Sequence, residues 1–280
     1  MSLRKKKQPS IVILICYMGQ LPWYFEYFAL SCRYNMSVDI VVITDDRRYS
    51  KPVPKNIRFI FLNLKEISEN ATERLGFHVQ ITRGYKLCDF KPAYAFLFPH
   101  LIQGYDFWGH GDLDVIYGDL RKFLPSDLLL SHDVISVRHD YVTGHFALFR
   151  NCESFNKLFM KSKDYQKVFM SERDYCFDET NYAFEDFSNN LPVEAIHSEI
   201  ESMTHVIKRL SKQNKVRVHF DFLNIEGLPG KIKFTRGKLI YKNQFEVMMY
   251  HMIKLKKAYT GEARRKTIPH TFRISTRRIY

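Results

Sequence analysis

The chain has 280 residues, of which 45% are hydrophobic and 15% aromatic, and a formal net charge of +13. That much apolar side chain builds a sizeable core, which excludes a disordered chain and fits a single α/β domain. The charge gathers at the ends, in Arg4, Lys5, Lys6 and Lys7, then in Lys254, Lys256, Lys257, Arg264, Arg265, Lys266, Arg273, Arg277 and Arg278 against Glu262. The middle is close to neutral.

Cationic ends on a neutral domain suit an anionic membrane surface, where each Lys or Arg contributes about 1 kcal/mol, or nonspecific contact with nucleic acid, or simply solvated tails. The expected layout is a basic tail over 1–9, a catalytic domain over 10–256 and a second basic tail over 257–280. Five cysteines without a Cys-x-x-Cys pair argue against a zinc site or a disulfide framework and for a reducing compartment. The longest purely apolar run, Ile11–Cys16, is too short to span a bilayer and no small-residue cleavage site follows it. The expectation is a cytoplasmic protein, peripheral on the inner face of the membrane.

Ile11–Cys16 reads as a strand buried on both faces of a parallel sheet. Pro22 suits the first turn of a helix over about 22–34, and Val38–Thr44 and Ile57–Leu62 read as two further strands. A helix is expected from Lys91-Pro92 to about Gln103. Tyr105–Trp108 reads as a strand entering the acidic turn of Gly-His-Gly-Asp112-Leu-Asp114, with a short helix after it. His132–Arg138 and Gly144–Arg150 read as strands, and 153–162 and 172–187 as helices. Short strands follow at Val216–Phe222, Ile232–Phe234 and Leu239–Tyr241, while 246–256 fits either strand or helix. This order implies a mostly parallel sheet with helices on its faces.

In open α/β sheets, ligands bind beyond the carboxyl ends of the strands. Two acidic clusters fall there: Asp45-Asp46, and Asp112-x-Asp114. Hard oxygen ligands of the second kind suit Mn²⁺ or Mg²⁺ gripping a diphosphate. Roughly one Asp-x-Asp is expected by chance in a chain this long, so position carries the signal: this one follows an apolar strand in a Rossmann-like order. Phosphate loops, dinucleotide fingerprints, serine-hydrolase elbows and zinc-peptidase motifs are absent.

Tyr85-Lys-Leu-Cys-Asp89-Phe-Lys91-Pro92-Ala-Tyr94 and Gly104–Asp119 together resemble a family of bacterial GT-A-type glycosyltransferases found with cell-surface polysaccharide genes. Tyr17–Phe25, Thr44-Asp45-Asp46 and Gly237-Lys-Leu…Glu246-Val-Met-Met-Tyr-His251 fit the same family, so the resemblance spans about residues 10–256. It implies a GT-A (Rossmann-like) fold and metal-dependent transfer of a sugar from a nucleotide-sugar, UDP-linked by family likeness, to a cell-surface or lipid-linked glycan.

Carried over by position, Asp114 would coordinate the metal, Asp112 would contact the metal or the donor ribose, and His251 would be a third ligand. Asp45, Asp46 and Asp89 would approach the nucleoside and Lys91 the diphosphate, while Lys254 and Lys256 would either meet the diphosphate or start the basic tail. Gly144 and His145 would meet the acceptor. Of the carboxylates at Asp178, Glu179, Glu185 and Asp186, the pair Glu185-Asp186 is favoured as the base an inverting enzyme needs. A metal-dependent phosphoester or pyrophosphate hydrolase using the same carboxylates is the alternative. A nucleic-acid-binding module using the basic ends ranks third, because the middle of the chain is nearly neutral.

Overall fold

The computed structural model describes residues 8–260 and 267–280. Most of the expected N-terminal tail, and Glu262, Arg264, Arg265 and Lys266 of the C-terminal one, lie outside them. Strands β1 (Ile11–Tyr17), β2 (Val38–Thr44), β3 (Ile57–Phe61), β4 (Phe107–Gly111), β5 (Val115–Tyr117), β6 (Val134–Ser136), β7 (Phe146–Arg150) and β8 (Val218–Phe220) come first. Strands β9 (Asn224–Glu226), β10 (Ile232–Thr235), β11 (Lys238–Tyr241), β12 (Phe245–Val247), β13 (Met249–His251) and β14 (Thr271–Ile274) complete the set.

Seven strands form the central sheet in the order β3-β2-β1-β4-β7-β6-β8. Every neighbouring pair is parallel except those of β7, which runs against β4 and β6. The mostly parallel α/β sheet expected from the sequence is therefore present. Its strands alternate between two cores, as the two-residue period requires. Ile11, Ile13 and Ile15 of β1, with Val38, Ile40 and Val42 of β2, face one core. Val12, Leu14, Val41 and Ile43 face the other. Gly109 lets β4 close on β7, since a Cβ there would stand 2.5 Å from the Ala147 carbonyl oxygen.

Helix Phe25–Arg33 packs on the first core. Helix Leu64–Leu75 lies over the second, between an Asn63–Glu66 capping box and Gly76 at φ 75°. Helix Met203–Lys212 joins it, burying Met203, Val206, Ile207 and Leu210. Asp133 ties down the sheet edge, accepting from Arg150 Nε at 2.9 Å and from Arg217 Nε at 2.9 Å.

Three expected segments differ. The helix from Lys91 breaks at Phe98, because Pro99 cannot donate its backbone hydrogen bond; Tyr94–Leu97 and Pro99–Ile102 are separate turns. Residues 172–187 are mainly loop, with Cys176, Asn181 and Tyr182 at positive φ and a helix only over Phe184–Ser188. The stretch after 257 is not all tail: β14 pairs with β10 in a sheet of order β12-β11-β10-β14. Phe234, Leu239 and Phe272 of that sheet enter the first core, and Phe272 meets Tyr27 edge-on at 5.2 Å. Burying a side chain of that size contributes about 2 kcal/mol.

Candidate active site

The site begins where β4 runs out. After Gly111 the chain turns through Asp112, Leu113 and Asp114, and β5 then leaves the central sheet for a small sheet of order β5-β13-β9. In that sheet His251 lies opposite Val115, next to Asp114, and beside Glu226 on its other flank. Two strand pairings thus bring residues far apart in sequence to one point. On the central sheet Gly111 pairs with Phe146, which sets Gly144 and His145 against the same turn; the Asp112 amide donates to the His145 carbonyl at 3.3 Å.

Each aspartate faces a lysine. Asp114 Oδ2 lies 2.6 Å from Lys256 Nζ and 3.5 Å from His251 Nε2. Asp112 Oδ1 lies 2.8 Å from Lys91 Nζ, which also stands 3.5 Å from Asp178 Oδ2. Burial alone would lower the pKa of Lys91, but Asp112 and Asp178 hold it well above the usual lysine value. Burial likewise opposes charge on His251, yet its bonds to Asp114 and Glu226 prevail and raise it to about 9. Asp114, although buried, is held below the usual carboxylate range by His251 and Lys256.

Two cavities meet at Asp112, Asp114 and Lys256. One, of about 390 Å³, is lined by the end of β1 (Cys16, Tyr17), by Met18 just after it, and by Tyr24, Gly84 and Tyr85. The other, of about 220 Å³, is lined by Lys91, Gly144, His145, Asp178, Glu179 and Glu226. In the second, burial raises the carboxyl pKa of both Asp178 and Glu179. Glu179 Oε1 accepts the Gly144 amide at 2.6 Å. A Cβ at Gly144 would overlap Asp178 Oδ2, so a larger residue there would displace that carboxylate.

Asp112, Asp114 and His251 each offer a ligand atom, all within 4.8 Å of one another. Two carboxylates and one imidazole fit Mn²⁺ or Mg²⁺. Among the described residues a second such group, His145, Glu226 and His251, shares its last member with the first.

Other expected site residues have different partners here. Asp45 accepts the Gly19 amide at 2.7 Å and Asp46 the Leu21 amide at 2.8 Å, so they pin the loop after β1; neither lines the two cavities. Asp89 is buried, its carboxylate bonded to Lys86 Nζ at 2.8 Å and to the amides of Tyr175 (3.0 Å) and Phe177 (2.8 Å). It fastens the loop that carries Asp178 and Glu179. His145 is buried with Nε2 3.0 Å from Asn224 Nδ2 and its ring stacked on His251, and it also lines the smaller cavity. Glu185 is exposed, and neither it nor Asp186 lines either cavity; Asp178 and Glu179 do. His110 packs beneath the turn with Nδ1 3.1 Å from the Gly144 carbonyl, and burial lowers its pKa to about 3. Glu226, absent from the sequence reading, is the main addition.

A family profile described as "Family of unknown function (DUF6625)" matches residues 13–280. The chain belongs to the DUF6625 family. The DUF6625 match runs through β14 and so takes in the small C-terminal sheet. No curated protein matches the chain. Among solved structures it is similar to galactosyltransferase LgtC in complex with donor and acceptor sugar analogs, at 12% identity and a TM-score of 0.35, over 64% of this chain and 70% of that one. An active-site mutant of LgtC gives 11%, 0.36, 77% and 75% for the same measures. Mouse xyloside xylosyltransferase 1, apo form, gives 8% and 0.46, over 87% of this chain and 98% of that one. At these values the likeness adds nothing to what the site's own geometry carries.

Proposed function

We propose that this DUF6625 member is a metal-dependent GT-A-type glycosyltransferase, moving a sugar from a nucleotide-sugar, UDP-linked, to a cell-surface or lipid-linked glycan. The observation that carries the reading is the convergence of Asp112, Asp114, His251 and Lys256 between two cavities at the carboxyl ends of a parallel sheet. Asp112, Asp114 and His251 would hold Mn²⁺ or Mg²⁺, which supplies Lewis-acid stabilisation of the charge on a departing diphosphate. Lys256 and Lys91 flank the same point and add fixed positive charge for that diphosphate. The cavity beside Tyr17, Met18 and Tyr85 suits the nucleoside. The cavity beside Asp178 and Glu179 suits the sugar and the acceptor hydroxyl.

Burial raises the pKa of both of those carboxyls, which favours their protonated forms. They take the role first assigned to Glu185 and Asp186. The hydrolase reading is weaker, because two-metal hydrolysis needs two ions about 4 Å apart. The two ligand groups among the described residues share His251 and so supply one ion. UDP titration with and without Mn²⁺ tests the reading, as set out at the end of the Discussion.

We also propose that the outer face of the sheet β12-β11-β10-β14 rests on an anionic membrane surface. Lys233 and Arg273 lie directly opposite each other on β10 and β14, an arrangement that costs stability unless an anion screens it. With Lys231 and Lys242 they line a shallow cavity of about 630 Å³ that, among the described residues, no Asp or Glu side chain lines. Among the described residues no helix is long and apolar enough to cross a membrane.

A further inference from the structure

We propose that Glu226 is the positioning residue that sets the tautomer and aim of His251 toward a divalent cation; this rests on the metal-dependent reading above. The backbone makes the pairing. β9 and β13 run parallel with Glu226 beside His251, while β13 and β5 run antiparallel with His251 opposite Val115, the residue after Asp114. One imidazole therefore spans two flanking strands.

The side chains use that placement. His251 Nδ1 lies 2.9 Å from Glu226 Oε1, and Nε2 lies 3.5 Å from Asp114 Oδ2. A carboxylate that takes the Nδ1 proton leaves the Nε2 lone pair for a metal and makes it a better donor. The ring plane is fixed as well. His145 stacks on His251 at 4.1 Å with 22° between planes, and Asn224 Nδ2 stands 3.0 Å from His145 Nε2. Arg138 Nη1, 3.7 Å from Glu226 Oε2, restrains the other end of the carboxylate.

The same residues could be arranged as a rival ligand set of His145, Glu226 and His251. For that, His145 would give up Asn224 and His251 would present Nδ1, leaving Asp114 facing Lys256 without an ion. The arrangement present has Nε2 turned to Asp114 and favours the aspartate pair as ligands, with Glu226 behind the imidazole.

The test is calorimetric titration of Mn²⁺, alone and with UDP present, into the wild-type chain and the variants D114N, E226A, E226Q and H145A. Removing a partner of this kind typically lowers metal affinity 10–100-fold, and that is the loss expected for E226A. E226Q should stay within a few fold of wild type, since an amide oxygen accepts the same Nδ1 proton, and D114N should abolish binding. Nitrogen-15 spectra of the metal-free chain, recorded above the His251 pKa of about 9 so that the ring is neutral, should report the Nδ1–H tautomer of His251 in wild type and E226Q and a mixture in E226A. Wild-type affinity in E226A, with D114N silent, would overturn the role of Glu226 while leaving the metal site standing. Binding that survives D114N but vanishes in E226A and H145A would move the ion to the rival set and overturn it too. A wild-type chain that takes up no Mn²⁺ removes the metal-dependent reading and this inference together.

Discussion

Lys256 Nζ stands 2.6 Å from Asp114 Oδ2, across 142 positions of sequence. The contact is local in its cause: β13 delivers the chain to His251 beside β5, and the turn after it, where the Met252 amide donates to the Asp114 carbonyl at 2.7 Å, brings Lys256 back over the carboxylate. A lysine so placed neutralises Asp114 and can also meet a diphosphate bound at the same point. Lys256→Met should therefore weaken UDP binding by about tenfold or more, by analogy with losing a charged hydrogen bond of about 1.5–3 kcal/mol. It should leave Mn²⁺ binding without nucleotide intact or tighter. Calorimetry with each ligand checks both halves.

Asp178 and Glu179 line the smaller cavity, whereas Glu185 stands in solvent. Asp178→Asn and Glu179→Gln should each lower turnover by two or more orders of magnitude if the group moves a proton. Glu185→Gln should stay near wild type. Sugar transfer assayed with a screen of UDP-sugars separates the two pairs, and equal loss in all three variants would contradict the assignment.

Acid should loosen the sheet edge at Asp133. Burial would raise its pKa, but Arg217 and Arg150 hold it at about 2. Because that folded value lies below the unfolded one of about 3.9, the stabilisation is complete above pH 4 and disappears as pH falls through about 2. Asp133→Asn should cost on the order of 2 kcal/mol at neutral pH. Its Tm deficit against wild type should shrink between pH about 4 and about 2. A deficit constant over that window would contradict the account.

Charge reversal on the small sheet should detach the protein from lipid. Lys231→Glu with Lys233→Glu and Arg273→Glu should abolish sedimentation with vesicles containing phosphatidylserine, while uncharged phosphatidylcholine vesicles should bind neither form. Raising the salt should release the wild type, as screening requires. Binding of the wild type to single-stranded RNA but to no vesicle would favour the nucleic-acid reading instead.

The parallel sheet was legible because β1 is an unbroken apolar run and β2 is apolar but for Asp39 and the terminal Thr44, a pattern few other environments tolerate. The Asp112–Asp114 turn was legible for the same reason, as the polar end of such a strand. Helix Met203–Lys212 also left a trace, with Met203, Val206, Ile207 and Leu210 at helical spacing, but the sequence reading passed over it. Residues 172–187 misled because their aromatic and acidic pattern suits a helix. Their conformation is decided elsewhere, by Asp89 taking the Tyr175 and Phe177 amides. The ion pair of Asp89 with the buried Lys86 could not be read either, since nothing local shows that Lys86 lies buried against it. Glu226 could not be found at all: one acid in a short strand has no pattern, and its meaning comes only from the register with His251.

The most direct test of the central claim is calorimetric titration of UDP into the full chain, with and without Mn²⁺, for wild type and Asp114→Asn. The account expects UDP to bind the wild type in a Mn²⁺-dependent way and the variant to lose that binding while keeping its Tm within a few degrees. Silence of the wild type toward UDP under every metal condition, with GDP, CMP and dTDP silent as well, would contradict it and leave the carboxylate turn to a structural or hydrolytic role.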